Sequence, residues 1–490
     1  TLPLTAGPHR LEVAFLHTQR ARGVDDLNAV LAGSTNVQSL SITGPLRPVG
    51  PGDTPSRRRV FICRPDSATT EEACARKILG TLATRAFRRP VDAISLQILM
   101  DFYRQGRALR GFETGIQYAL ARVLVDPQFV FRFEAEPPGL TEGEVYEISE
   151  FELASRLSFF IWSSIPDDEL LALAGAGDLS EPALLAQQVE RMLADPKASA
   201  LVSNFASQWL GLRQLDLVNP LSADFDGALK LAMQRETERL FASILRENRS
   251  IVTLLDADYS FINERLARHY GIPNIRGSHF RRLELSDEKR RGLLGQGSIL
   301  TLTSAPNRTS PVKRGQWVMD NLLGTPPPPP PPGVEANLEE TAPAGAELTT
   351  VRQRLEFHRV NPACAGCHSM MDPIGFALEN FDLTGQWRET EAGVPINVSA
   401  KLWDGTLLQG PESLRQALLE RRELFVATAA EKLLTYALGR KVEYYDRPTL
   451  RHIVRQAGKD DYRLRALIQE IVASPAFQMR IKNDRFQELP

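Results

Sequence analysis

The residues best suited to chemistry in this chain fall in one short run, Asn361-Pro362-Ala363-Cys364-Ala365-Gly366-Cys367-His368. Cys-x-x-Cys-His is the attachment spacing of c-type haem. Each thiol can add across one vinyl group of the porphyrin, and the two-residue gap sets both sulfurs along one edge of the macrocycle. The histidine that follows falls beneath the ring, where its imidazole can bind the iron as proximal ligand. Two other chemistries use a Cys-x-x-Cys pair. A zinc site needs a second pair of ligands at similar short spacing, but the other two cysteines, Cys63 and Cys74, lie far upstream and eleven positions apart. A redox dithiol belongs in a βαβ context, which is absent around this run. The expectation is one covalently attached haem c, with Cys364, Cys367 and His368 as its anchors.

The other side of the iron is open to several readings. His358 enters from the preceding segment and could reach the distal face. Met371 offers a thioether, although a residue three places after the proximal histidine tends to stay on the same side of the ring. An iron with a free or water-bound sixth position is the third possibility. Haem propionates call for partners, and the arginine fork matches a carboxylate. Arg388 and Arg440 are the best placed by sequence, with Trp387 and Tyr436 as residues that could pack or hydrogen-bond at the haem edge. The polar, basic stretch from Asn307 to Gly315 either lines a cleft or is a loop capping a helix at Gln316–Leu323. Asp256 and Asp258 give only a weak calcium or acid–base signal. No Walker loop, dinucleotide fingerprint, G-x-S-x-G or H-E-x-x-H occurs.

These residues need elements to hold them. Residues 1–60 read as β: Leu11, Val13 and Phe15 alternate with less apolar neighbours, as do Leu40 and Ile42. Two or three strands cannot close a sandwich, so this segment is expected to be part of a larger β domain. Residues 61–324 carry apolar residues at helical spacing and predict a helical body. Its helices are expected near Glu71–Phe87, Ala93–Arg107, Gly111–Leu124, Ser149–Ser163, Glu181–Ala194, Ala198–Leu210, Phe225–Glu247 and Ser286–Leu302. Residues 325–350, with a heptaproline at Pro326–Pro332 and an acidic tail, predict a polyproline spacer. Residues 351–490 then predict a cytochrome-c-like haem module: a short helix before the motif, a hairpin around Trp403-Asp404-Gly405, and four closing helices. The fold class is mainly α and multi-domain, with a partial β segment at the front.

Composition narrows the partners. The formal charge is −2 with both signs interspersed, which argues against nucleic acid. No apolar run reaches the ~18 residues that suggest a transmembrane helix.

Several blocks resemble a family of secreted cytochromes abundant in planctomycetes and built from consecutive domains of unknown function. They are the haem run with Met371-Asp372-Pro373, Ala377-Leu378-Glu379-Asn380-Phe381-Asp382 and Trp387-Arg388, together with Arg85–Val91, Asp258–Asn263, Thr309–Gly315 and Leu434–Arg440. The resemblance implies a carbohydrate-binding-like remnant at the front and a periplasmic or secreted location, since covalent haem attachment takes place outside the cytoplasm. An oxidising compartment also suits a Cys63–Cys74 disulfide. The function expected is electron transfer with a redox partner protein, or service as the haem-bearing subunit of a redox enzyme. The alternatives are a haem peroxidase or oxygenase with an open distal site, and a polysaccharide-binding scaffold.

Overall fold

The structure, a computed structural model, describes residues 52–328, 350–360 and 362–482, with residues 3–5, 7, 9, 39–44, 46–47 and 50 ahead of them. It is mainly helical with small antiparallel two-stranded sheets, and it divides into two compact units, Thr1–Phe131 and Arg132–Pro490.

The first unit is built on three helices, Ala68–Phe87, Ala93–Arg110 and Phe112–Leu124. Asp92 caps the second, accepting from the Ser95 amide at 2.8 Å, as a short acidic side chain does for otherwise orphaned N–H groups. Ile78, Leu79, Leu99, Met100, Tyr103 and Ile116 close the core between them. A Cys63–Cys74 disulfide ties the entering chain to the first helix. The β reading of residues 1–60 is not supported where it can be examined. Leu40 and Ile42 are exposed and lie outside any strand, and Pro55–Val60 is a helix capped by Thr54. Leu11, Val13 and Phe15 lie outside the described residues, as does most of the 325–350 segment.

The main hydrophobic core of the second unit runs from Ile148 to Phe477, with smaller clusters around Leu229 and Met233 and around Val351, Leu355 and Phe376. Glu150–Trp162 is fixed at its start by a reciprocal capping box of Ser149 and Glu152. Gly227–Arg246 is the long central helix, and Pro411–Glu420, Arg422–Leu438, Arg447–Gly458 and Leu464–Ala473 close the unit. Val145–Glu147 pairs antiparallel with Met479–Ile481, joining the first and last strands of the unit. The boundary expected between a helical body and a separate 351–490 module therefore does not divide the core. Phe160 and Trp209 from the body pack on Tyr436, Phe477 and Phe425 of the closing helices.

Two local expectations also change. Ser286–Leu302 is not one helix: Gly292 turns at φ +65°, and only Gly297–Leu302 is α-helical. The Asn307–Gly315 stretch is not just a cap for a later helix, because Ser310 caps a helix that begins at Pro311 and runs to Val318. The hairpin expected around Trp403-Asp404-Gly405 does form, between Ser399–Lys401 and Leu407–Gln409.

Candidate haem-attachment site

The motif lies on a helix, Pro362–Phe376. Cys364, Cys367 and His368 stand at i, i+3 and i+4, which brings the three onto one face. Cys364 is buried, Cys367 is half-buried, and neither is in a disulfide. The helix continues through Pro373. That residue has no N–H for the carbonyl of Ser369, but Ser369 is exposed, so water can satisfy the acceptor.

The carboxyl-terminal half of this helix, Met371 to Phe376, is buried throughout. It crosses Pro311–Val318 at backbone contact, through one glycine on each helix. A Cβ on Gly315 would stand 2.0 Å from the Met371 carbonyl oxygen, and one on Gly375 would stand 2.0 Å from that of Pro311. No side chain larger than hydrogen fits at either point. Met371, read from the sequence as a possible axial ligand, is buried in this core.

Below the crossing sits a buried ionic clamp. Arg314, 1% exposed, donates to the carbonyls of Leu378 (2.7 Å), Phe381 (2.9 Å) and Asp382 (2.8 Å), and to Glu379 Oε1 at 3.2 Å. Glu379 Oε2 accepts from Thr309 Oγ1 at 2.7 Å and from Arg388 at 3.2 Å. Burial raises the carboxyl pKa of Glu379 and lowers the guanidinium pKa of Arg314. Of the Arg314 nitrogens only Nε is left without a partner. Several blocks quoted for the resemblance thus meet in a structural clamp that fixes the turn after the motif helix.

His368 points its Nδ1 at Asp372 Oδ1, 3.0 Å away and one turn on. Among the described residues no hydrogen bond reaches its Nε2. Asp372 is completely buried, and its Oδ2 has no hydrogen-bond partner, with Arg359 Nε at 3.6 Å. His358 ends the Val351–His358 helix, which starts in a Thr350–Gln353 capping box and is held by Val351, Leu355 and Phe376. The rings of His358 and His368 meet edge to face with centroids 4.9 Å apart. Burial first, and the nearby His368 second, lower the pKa of His358.

The remaining sequence candidates are committed elsewhere. Arg388 is taken up by Glu379 and Thr309, and Arg440 makes a two-pronged pair with Asp446 at 2.6 and 3.0 Å. The Tyr436 hydroxyl bonds Ser163, and its ring packs on Phe160 and Phe205. Trp387 stands edge-on to Phe381 beneath the Lys289 ammonium. Asp256 pairs with Arg415. The structure thus brings together Cys364, Cys367, His368 and His358. It adds Asp372, which could have been found from its i+4 spacing to His368. No three His, Cys, Asp or Glu side chains among the described residues are grouped as they would be around a bare metal ion.

Four family models match in succession, each described as a protein of unknown function: DUF1595 over residues 74–134, DUF1592 over 148–272, DUF1588 over 290–391 and DUF1585 over 404–477. The four matches follow one another between residues 74 and 477, each over its own stretch. The DUF1588 segment contains the motif helix, its crossing partner and the ionic clamp. The DUF1592, DUF1588 and DUF1585 segments share the main core of the second unit. No curated protein and no solved structure matches the chain. Among the described residues no helix is long and apolar enough to cross a membrane.

The residues present fit a covalent haem c. Two unbonded thiols and an imidazole share one helical face, the imidazole has Nε2 available, and a buried carboxylate holds the other ring nitrogen.

Proposed function

We propose that this protein is a one-haem c-type cytochrome of the periplasm or cell exterior, acting in electron transfer or as the haem-bearing part of a redox enzyme. Cys364 and Cys367 would hold the porphyrin and His368 Nε2 the iron, and His358 would be the candidate second ligand once its ring moves out of contact with that of His368. The haem supplies one-electron exchange. The chain's own residues hold the ligands in place and limit water at the iron. The observation that carries this reading is the placing of two free thiols, Cys364 and Cys367, on the same helical face as His368, whose Nε2 takes no hydrogen bond among the described residues. The family model over residues 290–391 supports it by name, PSCyt3. The Cys63–Cys74 disulfide supports an oxidising compartment.

The test uses the chain matured in a host that attaches haem. The reading expects colour that stays with the polypeptide after denaturation and extraction with acidified organic solvent. It also expects a low-spin reduced spectrum that carbon monoxide leaves unchanged. Pigment that leaves the chain contradicts the covalent haem. Covalent pigment with a high-spin spectrum that shifts under carbon monoxide contradicts His358 as ligand and favours oxidant or oxygen chemistry.

A further inference from the structure

We infer that Asp372 is a positioning residue for the iron: it fixes the tautomer of His368 and lowers the reduction potential of a haem bound there. This rests on the haem reading above and goes further, because it concerns how the potential is set.

A carboxylate in a core normally satisfies both oxygens, since an unpaired buried polar atom costs free energy. Asp372 does not: Oδ1 faces His368 Nδ1 at 3.0 Å, while the fully buried Oδ2 has no hydrogen bond and only Arg359 Nε at 3.6 Å. An apolar side chain would serve helix packing better at this position. What the aspartate provides is directed at one imidazole. With Nδ1–H donated to the carboxylate, the lone pair resides on Nε2, the ring nitrogen left free to bind iron. A hydrogen bond from a ligating imidazole to an anion makes it a stronger donor, and a stronger axial donor favours the ferric over the ferrous state. The crossing at Gly315 and Gly375 holds the Asp372 turn rigid against Pro311–Val318, so the pair is set before any cofactor arrives.

The test compares the haem-bearing wild-type chain with Asp372→Asn, which keeps an acceptor but loses the charge. At a fixed ambient potential near the wild-type midpoint, the ferrous-to-ferric ratio of the variant is expected to rise about tenfold, roughly 59 mV for one electron. A second readout needs no variant: a spectrum of the wild-type protein with 15N-labelled histidine should find the proton of His368 on Nδ1. Haem attached with an unchanged ratio overturns this inference alone, as does a proton found on Nε2 in the haem-free chain. A wild-type chain that carries no covalent haem overturns this inference together with the reading beneath it. Should Asp372→Asn fail to fold, the wild-type spectrum decides.

Discussion

Two buried carboxylates seven residues apart, Asp372 and Glu379, have opposite surroundings. Glu379 accepts from Thr309, Arg314 and Arg388, and both of its oxygens are engaged. Asp372 is equally inaccessible, yet it spends one oxygen on His368 and leaves the other without a hydrogen bond. The first arrangement belongs to a clamp, in which every partner is structural and losing any one strands a charge. The second fits the proposed site: one oxygen is directed at one imidazole, and the other has only Arg359 Nε at 3.6 Å. A third buried carboxylate, Glu236, lies between these cases. Its hydrogen bonds come from the neutral hydroxyls of Ser260 and Tyr270, with Arg290 as the nearby cation.

The contrast can be broken most strongly at the clamp. Arg314→Met leaves Glu379 buried without its main cation, and stability measured by denaturant titration should fall by about 3–5 kcal/mol. A loss under about 1 kcal/mol would mean that the clamp is not structural. Glu236 gives a pH signature. Burial pushes its carboxyl up to about 7 from an ordinary 4.5, so the folded state holds the proton more tightly than the unfolded chain does. Its contribution is therefore fully present at low pH and is lost as pH rises through that window. Relative to Glu236→Gln, the wild type should lose about 3 kcal/mol between the two ends, and parallel pH–stability curves would contradict this. At the crossing, Gly375→Ala puts a methyl group into the Pro311 carbonyl and should cost about 1–3 kcal/mol. It should also lower the yield of haem attachment, whereas an unchanged melting temperature would mean that the two helices are free to separate. The smallest effect is expected at Asp372. Asp372→Asn should change the stability of the haem-free chain by less than about 1 kcal/mol, against a far larger cost for Glu379→Gln. Equal costs would erase the distinction between clamp and site.

Helices with an apolar stripe and an end signal were legible in the sequence. Ser149 opens Glu150–Trp162 and Gly439 closes Arg422–Leu438, each where its residue type predicts. The 286–302 stretch misled because its apolar spacing is helical while Gly292 requires a positive φ. Pro362–Phe376 is not legible as one helix because Pro373 reads as a break, and packing on Pro311–Val318 overrides it. At the site, Cys364, Cys367 and His368 are legible because the Cys-x-x-Cys-His spacing is itself a pattern with a chemical reading. Arg388 and Arg440 were not, since an arginine's carboxylate is chosen by the fold. For Arg388 it is the buried Glu379, and for Arg440 it is Asp446. A main core shared by three matched segments was equally hidden, because linker composition at 325–350 suggests a boundary that the packing on either side ignores.

The claim beneath all of this is that Cys364 and Cys367 each carry a thioether bond to one porphyrin. Peptide mapping by mass spectrometry of the chain purified from a haem-attaching host tests it directly. The account predicts that the peptide spanning Pro362–Ser369 is heavier by the mass of one haem and resists thiol alkylation. The same peptide recovered unmodified, with both thiols free to alkylate, would contradict it.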